Sequence, residues 1–441
     1  MSARFDVVVV GAGPGGMAAS AVAAEAGRRV CLLDANPAPG GQIWRGISAH
    51  KARSYPHGEK FAKWKARLDA SECEIWPGWQ AADLVAAGQL RVESETECQD
   101  IEFERLILAT GARERFLPFP GWTLPGVMGV GGAQALVKSG LDPRGKRVIV
   151  AGTGPLLLAV AAGLASAGAK IEGIIEQAPI ARLAHFGMYT MFAQPGKVVE
   201  GARYLIRTLA VPYRCNSWVR QVQGRGRVER VSVSIDGKER SLACDWLACG
   251  FHLVPNLELP RLLGCDIAAG YVTVDDMQQS SVPGVSCVGE LTGIGGLEKA
   301  LIEGEIAGWA AAGNPARAMT LSGQRRKQQE FALRLDQTFV LRAELRRLPM
   351  APTVVCRCED VTHSALAGCG GWREAKLHKR CGMGPCQGRI CGGATEFLYG
   401  WGPADSRPPV YPVRVSTLAA EIDAAGIAAD GATRSSRIAS A

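Results

Sequence analysis

The chain has 441 residues, room for about three domains at roughly 150 residues each, with 47% hydrophobic and 21% charged residues. Those proportions exclude a disulfide miniprotein and a wholly disordered chain. The net charge of +8 sits between Gly313 and Gly392, where fourteen Lys and Arg face six Asp and Glu; no nucleic-acid motif accompanies it, so a solvated helix face or a protein contact is expected and nucleic-acid binding is not.

The first predicted element is a β-branched strand over residues 5–10, followed by Gly11-Ala12-Gly13-Pro14-Gly15-Gly16, an alanine-rich helix to about Gly27, and a second apolar run, Val30-Cys31-Leu32-Leu33, ending in Asp34. This is a βαβ unit with Gly-x-Gly-x-x-Gly and an acid after its second strand, the pattern of a dinucleotide site. Gly11 permits the turn, Gly13 admits the pyrophosphate, Gly16 lets helix and strand pack closely, and Asp34 would bond the adenosine ribose. The apolar start is interrupted by glycines where a secretory leader would need a cleavage site, so a cytoplasmic protein is expected.

A second such unit begins at Arg147-Val148-Ile149-Val150-Ala151, passes Gly152-Thr153-Gly154-Pro155-Leu156-Leu157, and ends a later strand, residues 171–175, in Glu176. Residues 148–169 carry no charge, but their glycines and β-branched start predict a buried strand entering a helix rather than a membrane span. Leu157 stands where the third glycine belongs, which puts NAD(P) binding at this site in doubt.

Two nested dinucleotide units resemble the two-dinucleotide-binding flavoprotein fold. Ala109-Thr110-Gly111 resembles the segment where the chain leaves the FAD domain, Leu247-Ala248-Cys249-Gly250-Phe251 with Pro255-Asn256 its counterpart on return, Val288-Gly289-Glu290 the Gly-Asp motif at the ribityl chain, and Pro39-Gly40-Gly41-Gln42 the second flavin loop. The resemblance implies noncovalent FAD held by Gly11, Ala12, Gly13, Gly16, Asp34, Gly41, Gln42, Ala109, Thr110, Gly111, Gly289 and Glu290. It implies an FAD domain over 1–120 and 246–315, with an NAD(P)-type Rossmann-like domain, 121–245, inserted in it. No cysteine occurs between Cys98 and Cys215 and none follows Gly40-Gly41, so the redox pair of disulfide-reducing members is missing. Cys244 and Cys249 read as buried strand thiols.

A basic helical linker is expected over 316–350, helical at 324–348. A cysteine-rich unit over 351–402 follows, with Cys356-Arg357-Cys358, then Cys381-Gly382-Met383-Gly384-Pro385-Cys386 and Cys391. Six of the chain's fourteen cysteines fall in residues 356–391, which implies a local metal or redox site. Four thiolates from two short loops can enclose a [2Fe-2S] core, whereas C-x-C fits a zinc knuckle poorly. The segment resembles the [2Fe-2S] domain of bacterioferritin-associated ferredoxin and the C-terminal region of anaerobic glycerol-3-phosphate dehydrogenase subunits. That resemblance assigns Cys356, Cys358, Cys386 and Cys391 as ligands, with Cys381 the rival and Cys369 without a role. The tail, 403–441, offers little to pack, and its last fifteen or so residues are expected to be disordered.

A two-dinucleotide flavoprotein followed by this unit resembles the α subunit of heteromeric amino-acid dehydrogenases, the family of opine oxidases, D-hydroxyproline dehydrogenase and hydrogen cyanide synthase. The resemblance implies an electron-transferring oxidoreductase subunit with FAD and a [2Fe-2S] cluster. Its implied partners are an amine-oxidising flavoprotein β subunit, a third small subunit, and an FMN lying between subunits. It implies no catalytic residue on this chain, and Arg325 to Arg347 is expected to serve partner docking. Two rival readings stay open: a free-standing NAD(P)H-dependent FAD/[2Fe-2S] reductase, and a sensor or scaffold holding its nucleotide only structurally.

Overall fold

The computed structural model describes residues 3–47, 57–403 and 407–424. Strand β1 (Ala3–Val10), helix α1 (Pro14–Glu25) and β2 (Val30–Asp34) form the first βαβ unit, with Val7 opposite Val30 in parallel register. The valine run of β1 is buried on both faces, as a central parallel strand requires. Helix α2 (Gly58–Asp69) leads to β3 (Glu74–Pro77) on the outer edge of β2. A hairpin of β4 (Gln80–Ala86) and β5 (Gln89–Glu93) then delivers the long β6 (Cys98–Leu108) to the other side of β1.

The chain leaves this sheet through β7 (Ala112–Glu114) and enters a second one: β8 (Val127–Gly129), α3 (Val130–Lys138), β9 (Arg147–Thr153), α4 (Leu156–Ser166), β10 (Lys170–Glu176), a hairpin of α5 (Ile180–Ala193) and α6 (Pro195–Arg207), and β11 (Tyr213–Arg214). An antiparallel meander, β12 (Ser217–Gln223), β13 (Arg230–Ile235) and β14 (Lys238–Ala243), precedes β15 (Trp246–Phe251), which completes a parallel sheet in the order β11-β10-β9-β15-β8. The chain returns through β16 (Leu253–Pro255), antiparallel to β7, so both crossings run side by side. After α7 (Glu258–Leu262) and the hairpin β17 (Ile267–Ala268) and β18 (Tyr271–Val272), β19 (Val285–Cys287) rejoins the first sheet against β6. The second sheet is therefore inserted in the first, the nested arrangement that the two glycine loops predict.

Helix α8 (Leu297–Ala311) lies on α1 at a distance only glycines allow: a Cβ on Gly304 would stand 2.2 Å from the Gly15 carbonyl oxygen. Beyond α9 (Pro315–Met319), the linker is helical over α10 (Ser322–Thr338) and then breaks, ending in a short 3-10 turn at Ala343–Arg347 rather than one helix. The cysteine unit is built from β20 (Val354–Cys356), β21 (Val361–Thr362), α11 (Trp372–Lys379) and α12 (Cys391–Tyr399). The tail corrects an expectation. Ahead of α13 (Val415–Ala424) the Val410 amide donates to Ala82 at 2.8 Å, and in its first turn the Thr417 hydroxyl donates to Glu93 at 2.6 Å, so this part packs on the β4–β5 hairpin. The expected disorder at the C-terminus lies outside the described residues.

Among those residues no helix is long and apolar enough to cross a membrane, and residues 148–169 form β9 and α4.

Candidate functional site

Each glycine of the first nucleotide loop has its own geometric reason. Gly11 adopts φ +106°, and a Cβ there would lie 2.4 Å from the Ala109 carbonyl oxygen; one on Gly16 would lie 1.8 Å from that of Gly11. At Gly13 the nearest atom to a Cβ is the Gly41 Cα, at 4.0 Å, so the space over Gly13 is open. The Gly40 amide donates to the Ala12 carbonyl at 2.7 Å, which folds the second flavin loop over the first. Helix α1 starts at Gly13 with no side-chain cap and no acid in its first turn, leaving the amides of Gly15 and Gly16 for an anion. An ADP pyrophosphate fits this cradle.

Asp34 sits at the end of β2, where one carboxylate oxygen accepts from the Ala12 amide at 2.6 Å and the other from the Asn36 amide at 2.7 Å. It thus braces the loop, and its remaining lone pairs are those available to a ribose. Gln42 is exposed beside Gly41. Thr110 and Gly111 are tied to Asn256: the Thr110 hydroxyl donates to the Asn256 carbonyl at 3.0 Å, and the Asn256 amide nitrogen to the Gly111 carbonyl at 3.0 Å.

Glu290 follows Gly289 (φ +74°) and accepts from the amides of Gly295 at 3.1 Å and Gly296 at 2.9 Å, so it braces the turn into α8; burial pushes its carboxyl pKa up. Sequence reasoning missed its neighbours. Lys299 and Glu303, 1% and 0% exposed, pair at 2.8 Å, and Lys299 also donates to the Gly289 carbonyl at 2.8 Å. An i,i+4 Lys/Glu pair inside an apolar helix was the available signal.

The second nucleotide site is built alike, with the linker laid beside its acid. Glu176 accepts from the Thr153 hydroxyl and the Gly154 amide, both at 2.8 Å, and burial lifts its pKa to about 7. Leu157 is fully buried in the core formed with Val130, Val148 and Val150, so the fold absorbs the missing glycine. The linker then crosses the carboxyl ends of β9 and β10. Gln177 donates to Thr153 at 3.0 Å and to the Val340 carbonyl at 3.1 Å, and accepts from the Arg342 amide at 2.9 Å. Arg342 reaches the Gln177 carbonyl at 3.2 Å and Asn216 at 2.7 Å, its guanidinium 4.0 Å from the centre of the Trp218 ring. This segment lies where the adenosine half of a dinucleotide would approach. Glu114, also missed from sequence, caps the start of α3 by accepting from Gly131 at 2.6 Å and Gly132 at 3.1 Å.

In the cysteine unit, the sulfurs of Cys356, Cys381 and Cys391 lie within 4.8 Å of one another and are buried. Of the four cysteines expected as ligands, Cys356 and Cys391 belong to this buried group, and its third member is the rival Cys381. Cys386 is half-buried and Cys358 exposed. Bonds from Cys381 and Cys391 hold the Cys356 thiol far below its ordinary range, and Cys391 lowers Cys386 to about 5. The Gly382 amide points at the Cys356 sulfur at 3.5 Å. Clustered thiols with a low-pKa member and glycine amides on sulfur suit a metal or iron–sulfur group. Cys369 stands apart, packed at the rim of this core, and Cys244 and Cys249 are buried as expected.

This unit docks on the crossing strands. Arg113 of β7 donates to the carbonyl of Arg389, within the Cys386–Cys391 loop, at 3.0 Å, to Asn256 at 2.7 Å, and pairs with Glu258 at 2.8 Å. Of the expected docking stretch, Arg325 is buried on Asp276 at 2.6 Å and Arg346 donates to the Phe397 carbonyl at 2.9 Å. With Arg342, three of its arginines serve internal packing.

A family model described as pyridine nucleotide-disulphide oxidoreductase matches residues 5–316. The chain belongs to this family. Among relatives of this oxidoreductase, an opine oxidase subunit of Rhizobium meliloti (strain 1021) is 34% identical over 455 residues, covering 94% of this chain and 98% of the relative. The hydrogen cyanide synthase subunit HcnB of Pseudomonas aeruginosa is 32% identical over 420 residues, covering 87% and 90%. The L-proline dehydrogenase structure from P. horikoshii shares the fold with a TM-score of 0.68 at 19% identity, over 95% of this chain and 80% of that one. The thioredoxin reductase of T. acidophilum does so with a TM-score of 0.56 at 22% identity, over 71% of this chain and 99% of that one. The fold is a mixed α/β flavoprotein fold and the chain is an oxidoreductase, one that lacks the redox cysteine pair in its inserted domain.

Proposed function

We propose that this chain is the electron-transferring subunit of a heteromeric amino-acid or opine dehydrogenase, with FAD in the first site and a [2Fe-2S] cluster in the cysteine unit. The observation that carries this reading is Arg113. It joins the Thr110–Asn256 segment at the flavin site to the carbonyl of Arg389 in the cysteine loop, so the two candidate redox sites share one rigid seam. FAD would rest on Gly11, Ala12, Gly13, Gly16 and Asp34, with Gly41, Gln42, Ala109, Thr110, Gly111, Gly289 and Glu290 around its other half. Cys356, Cys358, Cys386 and Cys391 would hold the cluster, and Cys381 would lie against its buried side. A flavin takes up two electrons together and an iron–sulfur cluster moves one at a time, which suits relay. The protein residues fix the distance, exclude water from Cys356 and Cys391, and set charge around the sulfurs.

The partner assignment rests on the relatives' names as subunits and on accounting. Among the described residues the strands are taken up by the two nucleotide units, the short meander inserted in the second and the cysteine unit, which leaves no large further sheet to cover an amino-acid substrate. The amine-oxidising flavin therefore belongs on a β subunit, and further expectations are an FMN between the subunits and a third, small one. The linker across the second site speaks against a free-standing NAD(P)H-dependent reductase. The test is to express the chain alone and with the products of its genomic neighbours, then assay dye reduction by D-hydroxyproline, sarcosine, proline and opines. Turnover only in the co-expressed complex is expected; turnover by the chain alone overturns the reading.

A further inference from the structure

Helix α6 is amphipathic, yet it is mounted the wrong way round for a monomer. Val198, Val199, Leu205 and Ile206 recur at helical spacing on one side, Leu209 follows in the turn after the helix, and all are exposed, Ile206 to 66% and Leu209 to 78%. Its other side carries Glu200 and Tyr204 and faces the chain: Glu200 accepts from His57 at 2.9 Å and from the Tyr204 hydroxyl at 3.3 Å, while Lys197 lies 4.8 Å from the centre of the Phe331 ring. No residue of α6 is fully buried.

The preceding helix extends the same surface. In α5, Leu183, Phe186 and Tyr189 pack inward on Phe331, Leu335 and Phe339, whereas Met188, Met191 and Phe192 point outward, Phe192 81% exposed. Among the described residues, nine of the twenty-two exposed large apolar side chains fall between Ile180 and Leu209. A monomer seldom exposes so many large apolar side chains on two neighbouring helices, and such a concentration marks a surface suited to a protein partner. Arg182, Arg203 and Arg207 stand exposed around the apolar stripe, and the one acid of the hairpin, Glu200, is already paired. An apolar centre with an arginine rim matches a protein surface with an apolar centre and an acidic rim.

We propose that the α5–α6 hairpin is the docking face for the amine-oxidising partner subunit, an inference that rests on the heteromeric reading above. Met188, Met191, Phe192, Ile206 and Leu209 form the buried centre, and Arg203 and Arg207 meet carboxylates at the edge. Because these side chains touch solvent in the isolated chain, charging them leaves its own fold intact.

The experiment co-expresses the tagged full chain with the product of its neighbouring gene and compares wild type with Ile206→Glu/Leu209→Glu, Phe192→Glu, and Arg203→Glu/Arg207→Glu. Co-elution in size exclusion and the dissociation constant are read, with flavin content and melting temperature of each isolated chain as controls. At least tenfold weaker association for each variant, with unchanged flavin and melting, is expected. Variants that associate like wild type overturn the docking face while leaving the heteromer standing. So does sedimentation of the isolated wild type with phosphatidylglycerol vesicles, abolished by Ile206→Glu/Leu209→Glu, if heteromer formation is unaffected, since it assigns the hairpin to a membrane surface. Hairpin-dependent self-association of the isolated chain, unaffected by the partner, overturns it in favour of a homodimer. A wild type that binds no neighbouring gene product overturns the heteromeric reading and this face with it.

Discussion

Two glycines three residues apart should fail in opposite ways. At Gly16 a Cβ would stand 1.8 Å from the Gly11 carbonyl oxygen, so Gly16→Ala must push helix and loop apart by more than roughly 1 Å. Overpacking of that kind costs about 1–3 kcal/mol or more and is paid whether or not a nucleotide is bound. Gly13 has φ −71° and ψ −177°, open to any L-residue, and its nearest Cβ neighbour is 4.0 Å away. Gly13→Val should change the stability of the nucleotide-free chain by no more than about 1 kcal/mol, since tightening of the unfolded chain and a poorer helix cap offset one another. It fills the space a pyrophosphate needs, so flavin should be lost. The assay pairs denaturant titration of nucleotide-free protein with flavin absorbance per chain after purification. Wild-type flavin occupancy in Gly13→Val refutes the reasoning, as does flavin loss that merely accompanies unfolding.

Serine at Cys356, Cys358, Cys386 or Cys391 should strip iron, and Cys369→Ser should not; iron loss on Cys381→Ser with retention on Cys391→Ser would move the fourth ligand to Cys381. Arg342→Ala should cost about 1–3 kcal/mol in thermal or denaturant unfolding, because Asn216 and the Gln177 carbonyl lose their partner, and unchanged or raised stability would contradict this. Glu176, raised to about 7, binds its proton more tightly folded than unfolded, so its contribution is present below the unfolded carboxyl pKa and falls as pH rises to about 7. The stability of wild type relative to Glu176→Gln should therefore decline by up to a few kcal/mol over that window; a flat difference contradicts it.

Much of this was legible in the sequence because glycine loops are local. Gly11, Gly16, Asp34 and Glu176 occupy the positions their spacing implies, since a βαβ turn leaves one way to satisfy both sterics and hydrogen bonds. The linker's contact with the second site was not legible: Gln177 and Arg342 are 165 residues apart, and nothing local marks either as a partner. The same holds for Arg113 and Arg389. The basic stretch was legible only in part for a related reason, because charge counts do not say which arginines turn inward, and Arg325 does. In the tail, proline-rich composition hid the contacts that Val410 and Thr417 make with the β4–β5 hairpin. The cysteine spacing marked the cysteine-rich unit, but proximity of Cys381 to Cys356 and Cys391 is a property of the folded loop.

The most direct test of an electron-relaying subunit is to purify the chain anaerobically, count its cofactors, and follow stepwise reduction by electron paramagnetic resonance. Bound FAD, about two iron atoms with two acid-labile sulfides per chain, and an iron–sulfur signal that appears on one-electron reduction are expected. About one zinc per chain with no such signal, or an adenine nucleotide without flavin, would contradict it.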